Sequence, residues 1–206
     1  MTTVTLSAKG TRLNRRGLET RQTLLKVATR CLADGGPESA SANLVAREAG
    51  VTWGTVQHQF GDVDGLWAAV LEHISARGGP LIPMPPELST LHARVLAIVE
   101  QMWLALDAPG PRAIHNLRQA LPGHRAELES EFPRTAAAIV EWDASWTAAC
   151  EKAFEEFNVD RVKLQRVRAL LPGAMRGLHS ERHLSTYVDL DDARRGLSDA
   201  ITAYLS

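Results

Sequence analysis

A helix-turn-helix pattern between Ser41 and Leu71 constrains the fold of this chain most strongly. Ser41 is a favourable cap for a short helix whose apolar residues follow at helical spacing. Gly50 ends that helix, because glycine adopts the left-handed backbone of a tight turn without steric cost. Thr52 is the predicted cap of a second helix over residues 53–59. Two short helices joined by such a turn predict a DNA-binding unit whose second helix enters the major groove.

Charge is distributed unevenly along the chain. The 206 residues carry a net charge of -1, so no global field draws the protein to nucleic acid. Residues 1–30 nevertheless hold seven lysines and arginines against one glutamate. Residues 1–16 therefore predict a flexible basic arm in which Arg12, Arg15 and Arg16 reach phosphates or the minor groove. A disordered tail is the alternative interpretation.

The rest of the chain predicts an all-α protein of about nine helices. Apolar residues recur at helical spacing throughout, and no stretch has the alternation of a strand. Residues 78–86 hold four prolines and two glycines and predict a link between two domains. The expected domains are a helix-turn-helix domain over residues 17–77 and a second helical domain over residues 87–206.

Several function classes are disfavoured. No apolar run approaches the roughly 18 residues that span a bilayer, and the two cysteines lie in apolar helical patterns, so a cytoplasmic protein is expected. No nucleophile elbow, phosphate loop or metal triad indicates an enzyme or a cofactor. His179 and His183 have the helical spacing of metal ligands, but no third ligand follows and Glu181 lies off their face. A solvated helix end is the favoured interpretation.

Residues 21–71 resemble the DNA-binding domain of TetR-type transcriptional regulators. The resemblance implies a homodimer that binds double-stranded operator DNA through the first domain and a small-molecule effector through the second. The last two predicted helices, residues 160–182 and 191–205, correspond to the family's dimer interface. The residues that carry the resemblance are Gly35, Gly36, Ser41, Val45, Ala46, Ala49, Gly50, Val51, Gly54, Thr55, Val56, His58, Phe60 and Leu66.

The sequence departs from the family pattern at three positions. Trp53, Gln57 and Val63 replace residues that commonly contact phosphates in the family, so the grip on the DNA backbone is expected to be weaker. Either the arginine-rich arm supplies the missing charge, which is the favoured interpretation, or the protein binds DNA weakly.

The recognition helix and its surroundings provide the candidate DNA contacts. Glutamine pairs bidentately with adenine, threonine contacts a thymine methyl, and a glycine lets the backbone approach the duplex. Trp53 contacts DNA or, alternatively, packs against the first helix. The predicted set is Arg12, Arg15, Arg16, Ser41, Thr52, Trp53, Gly54, Thr55, Gln57 and His58.

The second domain supplies the candidate effector contacts. Trp142 and Trp146 are four residues apart and share a helical face, which favours an apolar pocket with a few polar groups. Ordinary core packing is the alternative for each residue. The predicted pocket residues are Met102, Trp103, His115, Trp142, Trp146, Met175 and His179.

These features together predict a repressor that an effector of unknown identity releases from its operator. Effector binding is expected to shift the helix over residues 62–77 and so change the spacing of the two recognition helices. The alternative is a helical dimer with weakened DNA binding that acts mainly through protein interaction.

Overall fold

The computed structural model describes residues 7–8, 10–78, 88–184 and 187–206. These residues form ten α-helices and a short 3-10 helix at Pro37–Ser39, and none of them lies in a strand, so the all-α prediction is confirmed. None of the described helices is long and apolar enough to cross a membrane. The helices are α1 (Arg15–Gly35), α2 (Ala42–Glu48), α3 (Trp53–Phe60), α4 (Val63–Ser75), α5 (Leu91–Leu106), α6 (Pro109–Ala120), α7 (Arg125–Glu131), α8 (Pro133–Ala153), α9 (Arg161–Glu181) and α10 (Leu190–Leu205).

The chain forms two compact units that do not follow chain order. The first unit comprises Met1–Arg77 and Ala108–Trp142, and the second comprises Gly78–Asp107 and Asp143–Ser206. Apart from Gly78, the predicted link at 78–86 lies outside the described residues. The functional division at 17–77 and 87–206 stays a prediction, and α6 and α7 pack in the same compact unit as the first four helices.

Helix α6 joins the first unit by completing the end of α1. The last carbonyl groups of a helix have no partner within it and need donors from elsewhere. Arg112 donates from Nη2 to the carbonyl oxygen of Ala33 at 2.6 Å, and Asn116 donates from Nδ2 to that of Leu32 at 2.7 Å. The apolar core of the first unit includes the buried side chains of Leu24, Leu32, Val45, Val56, Leu66, Trp67, Val70, Ile114 and Leu117.

The second unit is organised around α5, α9 and α10. Its apolar core is supported by a buried cation: Arg94 donates to the carbonyl oxygens of Ala153 at 2.8 Å and Leu88 at 3.1 Å. Helix α9 continues through Pro172, as its apolar stripe predicts. The core residues of this unit include Val95, Ile98, Val99, Val167, Leu171, Met175, Ile201 and Leu205.

Candidate nucleic-acid interface

The turn between α2 and α3 has the local structure that the sequence predicts. Ser41 Oγ accepts a hydrogen bond from the amide of Leu44 at 3.3 Å and caps α2. Gly50 has a φ of +66°, the left-handed conformation that favours glycine. The amide of Val51 then donates to the carbonyl of Ala46 at 3.0 Å, which closes the turn. The helix-turn-helix frame therefore follows from residues that are close in sequence.

Helix α3 divides into a buried and an exposed face. Val56 and Phe60 are buried in the first-unit core. Gln57 and His58 lie on the exposed face, and Thr55 is half-buried. This face is the only part of α3 that can present side chains to base edges, because the opposite face is packed.

The start of α3 differs from expectation at one residue. Thr52 occupies the N-cap position, but its side chain accepts no hydrogen bond from the amides of the first helical turn. Its hydroxyl instead lies 3.3 Å from the hydroxyl of Thr55. The predicted side-chain cap is therefore wrong. Thr52 and Gly54 are both exposed next to this hydroxyl pair, so their predicted DNA contacts remain sterically accessible.

Trp53 is half-buried and packs against the first-unit core. This position agrees with the packing alternative for its ring. A contact between the exposed part of Trp53 and DNA stays a prediction, and the packing itself explains why a large apolar residue is accommodated at the start of α3.

The N-terminal segment is attached to the end of the recognition helix. The amide of Ser7 donates to the carbonyl of Thr11 at 2.8 Å, and the amide of Ala8 donates to the carbonyl of His58 at 3.2 Å. Leu13 is buried beside this turn. Residues 1–6 and Lys9, which belong to the predicted arm, lie outside the described residues.

Three arginines follow this turn on the surface. Asn14, which the sequence reasoning missed as a cap, accepts a hydrogen bond from the amide of Gly17 at 2.9 Å and starts α1. Arg12, Arg15 and Arg16 are exposed on both sides of this cap. Arg15 pairs with Glu19 at 3.0 Å, but its side chain stays almost fully exposed. All three guanidinium groups are therefore open to solvent.

Arg21 has a structural role instead. Its Nη1 donates to the carbonyl of Gln59 at 2.6 Å, and its guanidinium lies 4.4 Å from the ring centre of Phe60. Burial lowers the pKa of Arg21, and the nearby carboxylate of Glu72 partly offsets that effect. Gln59 is itself buried and donates to the carbonyl of Gly17 at 3.2 Å. These contacts tie the end of α3 to α1.

The candidate effector residues are divided between the two compact units. His115 and Trp142 belong to the first unit, and Trp142 packs against its core. Met175 is fully buried in the core of the second unit. The remaining candidates of the second unit are Met102, Trp103, Trp146 and His179. A binding role for this set stays a prediction.

Trp103 is enclosed by charged side chains. The guanidinium carbons of Arg194 and Arg182 lie 4.3 Å and 5.3 Å from its ring centre. His179 contacts the same indole edge-to-face at 5.5 Å. Asp107 accepts hydrogen bonds from Arg182 at 2.7 Å and lies 2.9 Å from His179 Nε2, and its pKa is lowered chiefly by the bond from Arg182 and then by that from His179.

His179 is thus engaged by Asp107 and Trp103, and its ring lies 6.1 Å from that of His183. Within the described ranges, no group of three histidine, cysteine, aspartate or glutamate side chains has the arrangement of a metal site.

Two surface cavities occur in the first unit. One, of about 510 Å³, is lined by the N-terminal segment and the start of α1, including Arg12 and Arg15. The other, of about 350 Å³, lies between α1, α4 and the first half of α8. Neither cavity is lined by a predicted effector residue.

Comparison with known proteins places the helix-turn-helix in a family. Residues 24–70 match the family of bacterial regulatory proteins called the tetR family. A comparison with curated proteins found no match.

Solved structures resemble the whole fold. A tetR-family transcriptional regulator from Streptomyces coelicolor is 17% identical, with a TM-score of 0.62 over 91% of this chain and 80% of its own. NalD, the secondary repressor of the MexAB-OprM multidrug efflux pump in Pseudomonas aeruginosa, is 18% identical, with a TM-score of 0.61 over 93% of this chain and 98% of its own. The multidrug binding protein EbrR, complexed with proflavin, is 18% identical, with a TM-score of 0.57 over 88% of this chain and 99% of its own.

Proposed function

We propose that the protein is a sequence-specific transcriptional repressor that a small-molecule effector releases from its operator. The proposal starts from the match of its N-terminal helix-turn-helix to the tetR family over residues 24–70. The observation that carries the proposal is the exposed face of α3, with Gln57 and His58, on a helix-turn-helix frame whose first helix is capped by Ser41. The family consists of transcription regulators rather than enzymes.

The three atypical phosphate positions are compatible with DNA binding. Asp62 and Asp64, which flank Val63, both form ion pairs with Arg134. Arg134 therefore neutralises one of these two negative charges within the protein, which reduces their repulsion of phosphates. Arg12, Arg15 and Arg16 are exposed, and they follow closely after Ala8, whose amide is bonded to the end of α3. These arginines supply the charge that Trp53, Gln57 and Val63 lack.

Dimerisation and effector release are the finer parts of the proposal. Val162 and Leu170 are exposed apolar residues two helical turns apart on α9, and Tyr204 of α10 is also exposed. A second copy of the chain would cover this surface and place two recognition helices on successive major grooves. The proposed effector is an apolar or aromatic small molecule, in keeping with the described ligand of EbrR and the aromatic residues of the second unit.

The first prediction concerns the arginines before and at the start of α1. The double variant Arg15→Ala, Arg16→Ala is expected to weaken binding to every duplex and to reduce the slope of log K against log salt by up to about 1.8. The measurement is fluorescence anisotropy with a duplex containing the DNA upstream of the protein's own gene, titrated at several salt concentrations.

The matched control is Lys26→Ala with Arg30→Ala, which removes the same charge from the exposed far half of α1. That variant is expected to keep the wild-type slope. Equal slopes for wild type and the Arg15, Arg16 variant would exclude the proposed phosphate contacts. If wild type itself has no sequence preference at moderate salt, the protein-interaction alternative replaces the DNA-binding proposal.

The second prediction concerns base readout. Gln57→Ala is expected to change the preferred base at one position of each half-site, because glutamine pairs with adenine and alanine does not. Selection from a random-sequence pool measures this preference. Gln22→Ala, an exposed glutamine on α1, is the control and is expected to select the wild-type sequence. An equal loss of affinity for all sequences would refute base readout by Gln57.

A further inference from the structure

The first turn of α8 is bound to the first turn of α4 by a dense polar network. Asp64 has a side chain only 10% exposed. Its two carboxylate oxygens accept hydrogen bonds from the amides of Arg134 at 3.1 Å and Thr135 at 2.8 Å. The hydroxyl of Thr135, which is fully buried, donates in return to the carbonyl of Asp64 at 3.0 Å. Three donors at the start of α8 are thereby paired with three acceptor oxygens of Asp64, 70 and 71 positions away in sequence.

Arg134 extends this network to the recognition helix. Its Nε donates to Asp64 at 3.1 Å, and its Nη1 donates to the carbonyl oxygen of Phe60 at 3.3 Å. Phe60 is the last residue of α3, where carbonyl groups have no partner within the helix. Arg134 also pairs with Asp62, which caps α4 by accepting a hydrogen bond from the amide of Gly65 at 2.9 Å. One guanidinium therefore connects the end of α3, the cap of α4 and the start of α8.

The network is electrostatically favourable despite its burial. Burial alone would raise the pKa of Asp64, but hydrogen bonds from Thr135 and Arg134 outweigh it and hold the pKa below its usual value. The carboxylate also lies at the amino-terminal ends of two helices, where the helix dipole favours negative charge. Because a planar guanidinium binds several acceptors in fixed directions, these contacts restrict the orientation of α3 as well as its position.

We infer that Asp64, Arg134 and Thr135 form a clasp that sets the DNA-binding orientation of α3. The inference rests on the proposed DNA-binding function and assigns these three as positioning residues for it. Helix α8 continues from the clasp into the second unit, because its residues belong to both compact units. A shift of the first turn of α8 would break contacts at Asp64 and at the carbonyl of Phe60 together.

The test is Arg134→Ala, compared with Arg134→Lys and with Arg125→Ala as the matched control. Arg125 is an exposed arginine of α7 that pairs locally with Glu129 at 2.7 Å. Affinity is measured for a duplex selected by the wild-type protein from a random pool and for a scrambled duplex. All measurements are made at a temperature where circular dichroism shows each variant fully folded.

Arg134→Ala is expected to lower affinity for the selected duplex at least about tenfold, the effect of losing one aligned base contact. Affinity for the scrambled duplex is expected to fall much less, through the restored repulsion of phosphates by Asp62 and Asp64 alone. The salt slope is expected to stay at the wild-type value, since Arg134 neutralises no phosphate. Arg134→Lys should retain part of the specificity, because lysine keeps the positive charge but lacks the planar guanidinium that binds several acceptors at once. Arg125→Ala should behave as wild type.

Thr135→Val is the second variant, for the case that Arg134→Ala fails to fold. It removes only the hydroxyl bond to the carbonyl of Asp64 and should reduce specific affinity by a smaller factor. Wild-type specificity in a folded Arg134→Ala or Thr135→Val protein would overturn the clasp. A reduced salt slope for Arg134→Ala would reassign Arg134 as a phosphate contact. If wild type does not distinguish the two duplexes, the proposed function fails as well.

Discussion

The Gly65→Ala variant is expected to lose about 2–3 kcal/mol of unfolding free energy and, with it, specific DNA binding. Gly65 lies in the first turn of α4, where an added methyl group would overlap the carbonyl oxygen of Phe60 and lie 2.5 Å from Arg134 Nη1. The carbonyl belongs to the backbone of α3 and cannot rotate away, so α3 and α4 must separate. Urea denaturation followed by circular dichroism measures the loss as a lower midpoint.

Gly54→Ala is the control for this variant. A methyl group at Gly54 would have only the Thr52 hydroxyl nearby, at 3.7 Å. Alanine is about 0.5–1 kcal/mol better than glycine within a helix, so stability is expected to be equal or higher. Specific DNA binding should still weaken if the backbone of α3 approaches the duplex here. Wild-type stability of Gly65→Ala would contradict the close packing of α3 against α4.

The Leu170→Arg variant is expected to be monomeric and to bind a duplex with two half-sites at least about 100-fold more weakly than wild type. Leu170 is 62% exposed on α9, and Val162 of the same face is 52% exposed. In a two-fold dimer, each copy would place an unpaired cation in an apolar interface, which is strongly unfavourable. Linked binding of two half-sites contributes about 10²–10⁴ in affinity, which a monomer loses. Sedimentation velocity and anisotropy measure the two effects.

Leu104→Arg is the matched control. Leu104 is 71% exposed on α5 of the same unit, outside the last two helices. This variant is expected to remain dimeric and to keep wild-type affinity for the duplex with two half-sites and for a duplex with one. A single half-site duplex should bind Leu170→Arg as tightly as wild type. A dimeric Leu170→Arg protein, or dissociation of Leu104→Arg instead, would show that another surface joins the two copies.

The helix-turn-helix was predictable because its determinants are local. Ser41 caps α2 by accepting a hydrogen bond from an amide three residues later, and Gly50 has the left-handed conformation of the turn, as the sequence predicts. Thr52 marks the limit of such reasoning. It has the right position for a cap, but its hydroxyl pairs with that of Thr55 instead. Sequence specifies which residue type is able to cap, whereas the side-chain rotamer depends on competing partners.

The positions of Trp142 and Trp146 show a second limit. Their spacing of four places them on one face of α8, which suggested a shared pocket. Trp142 packs against the core of the first unit, whereas Trp146 packs against that of the second and donates from its indole nitrogen to the carbonyl of Arg168 at 3.1 Å. Helical periodicity predicts which residues share a face, but it does not predict which other helices pack against each part of a long helix.

The helical class, the helix-turn-helix and its likeness to the tetR family were predictable from the residue pattern, because periodicity, caps and turn glycines act over a few residues. The contacts of Asp62 and Asp64, by contrast, were not predictable from the sequence. In sequence they are two acidic residues beside a position where the family commonly has a cation. In the structure, both carboxylates form ion pairs with Arg134, which lies 70 or more positions away. Such a pairing leaves no periodic signal, since it depends on where the chain returns in space.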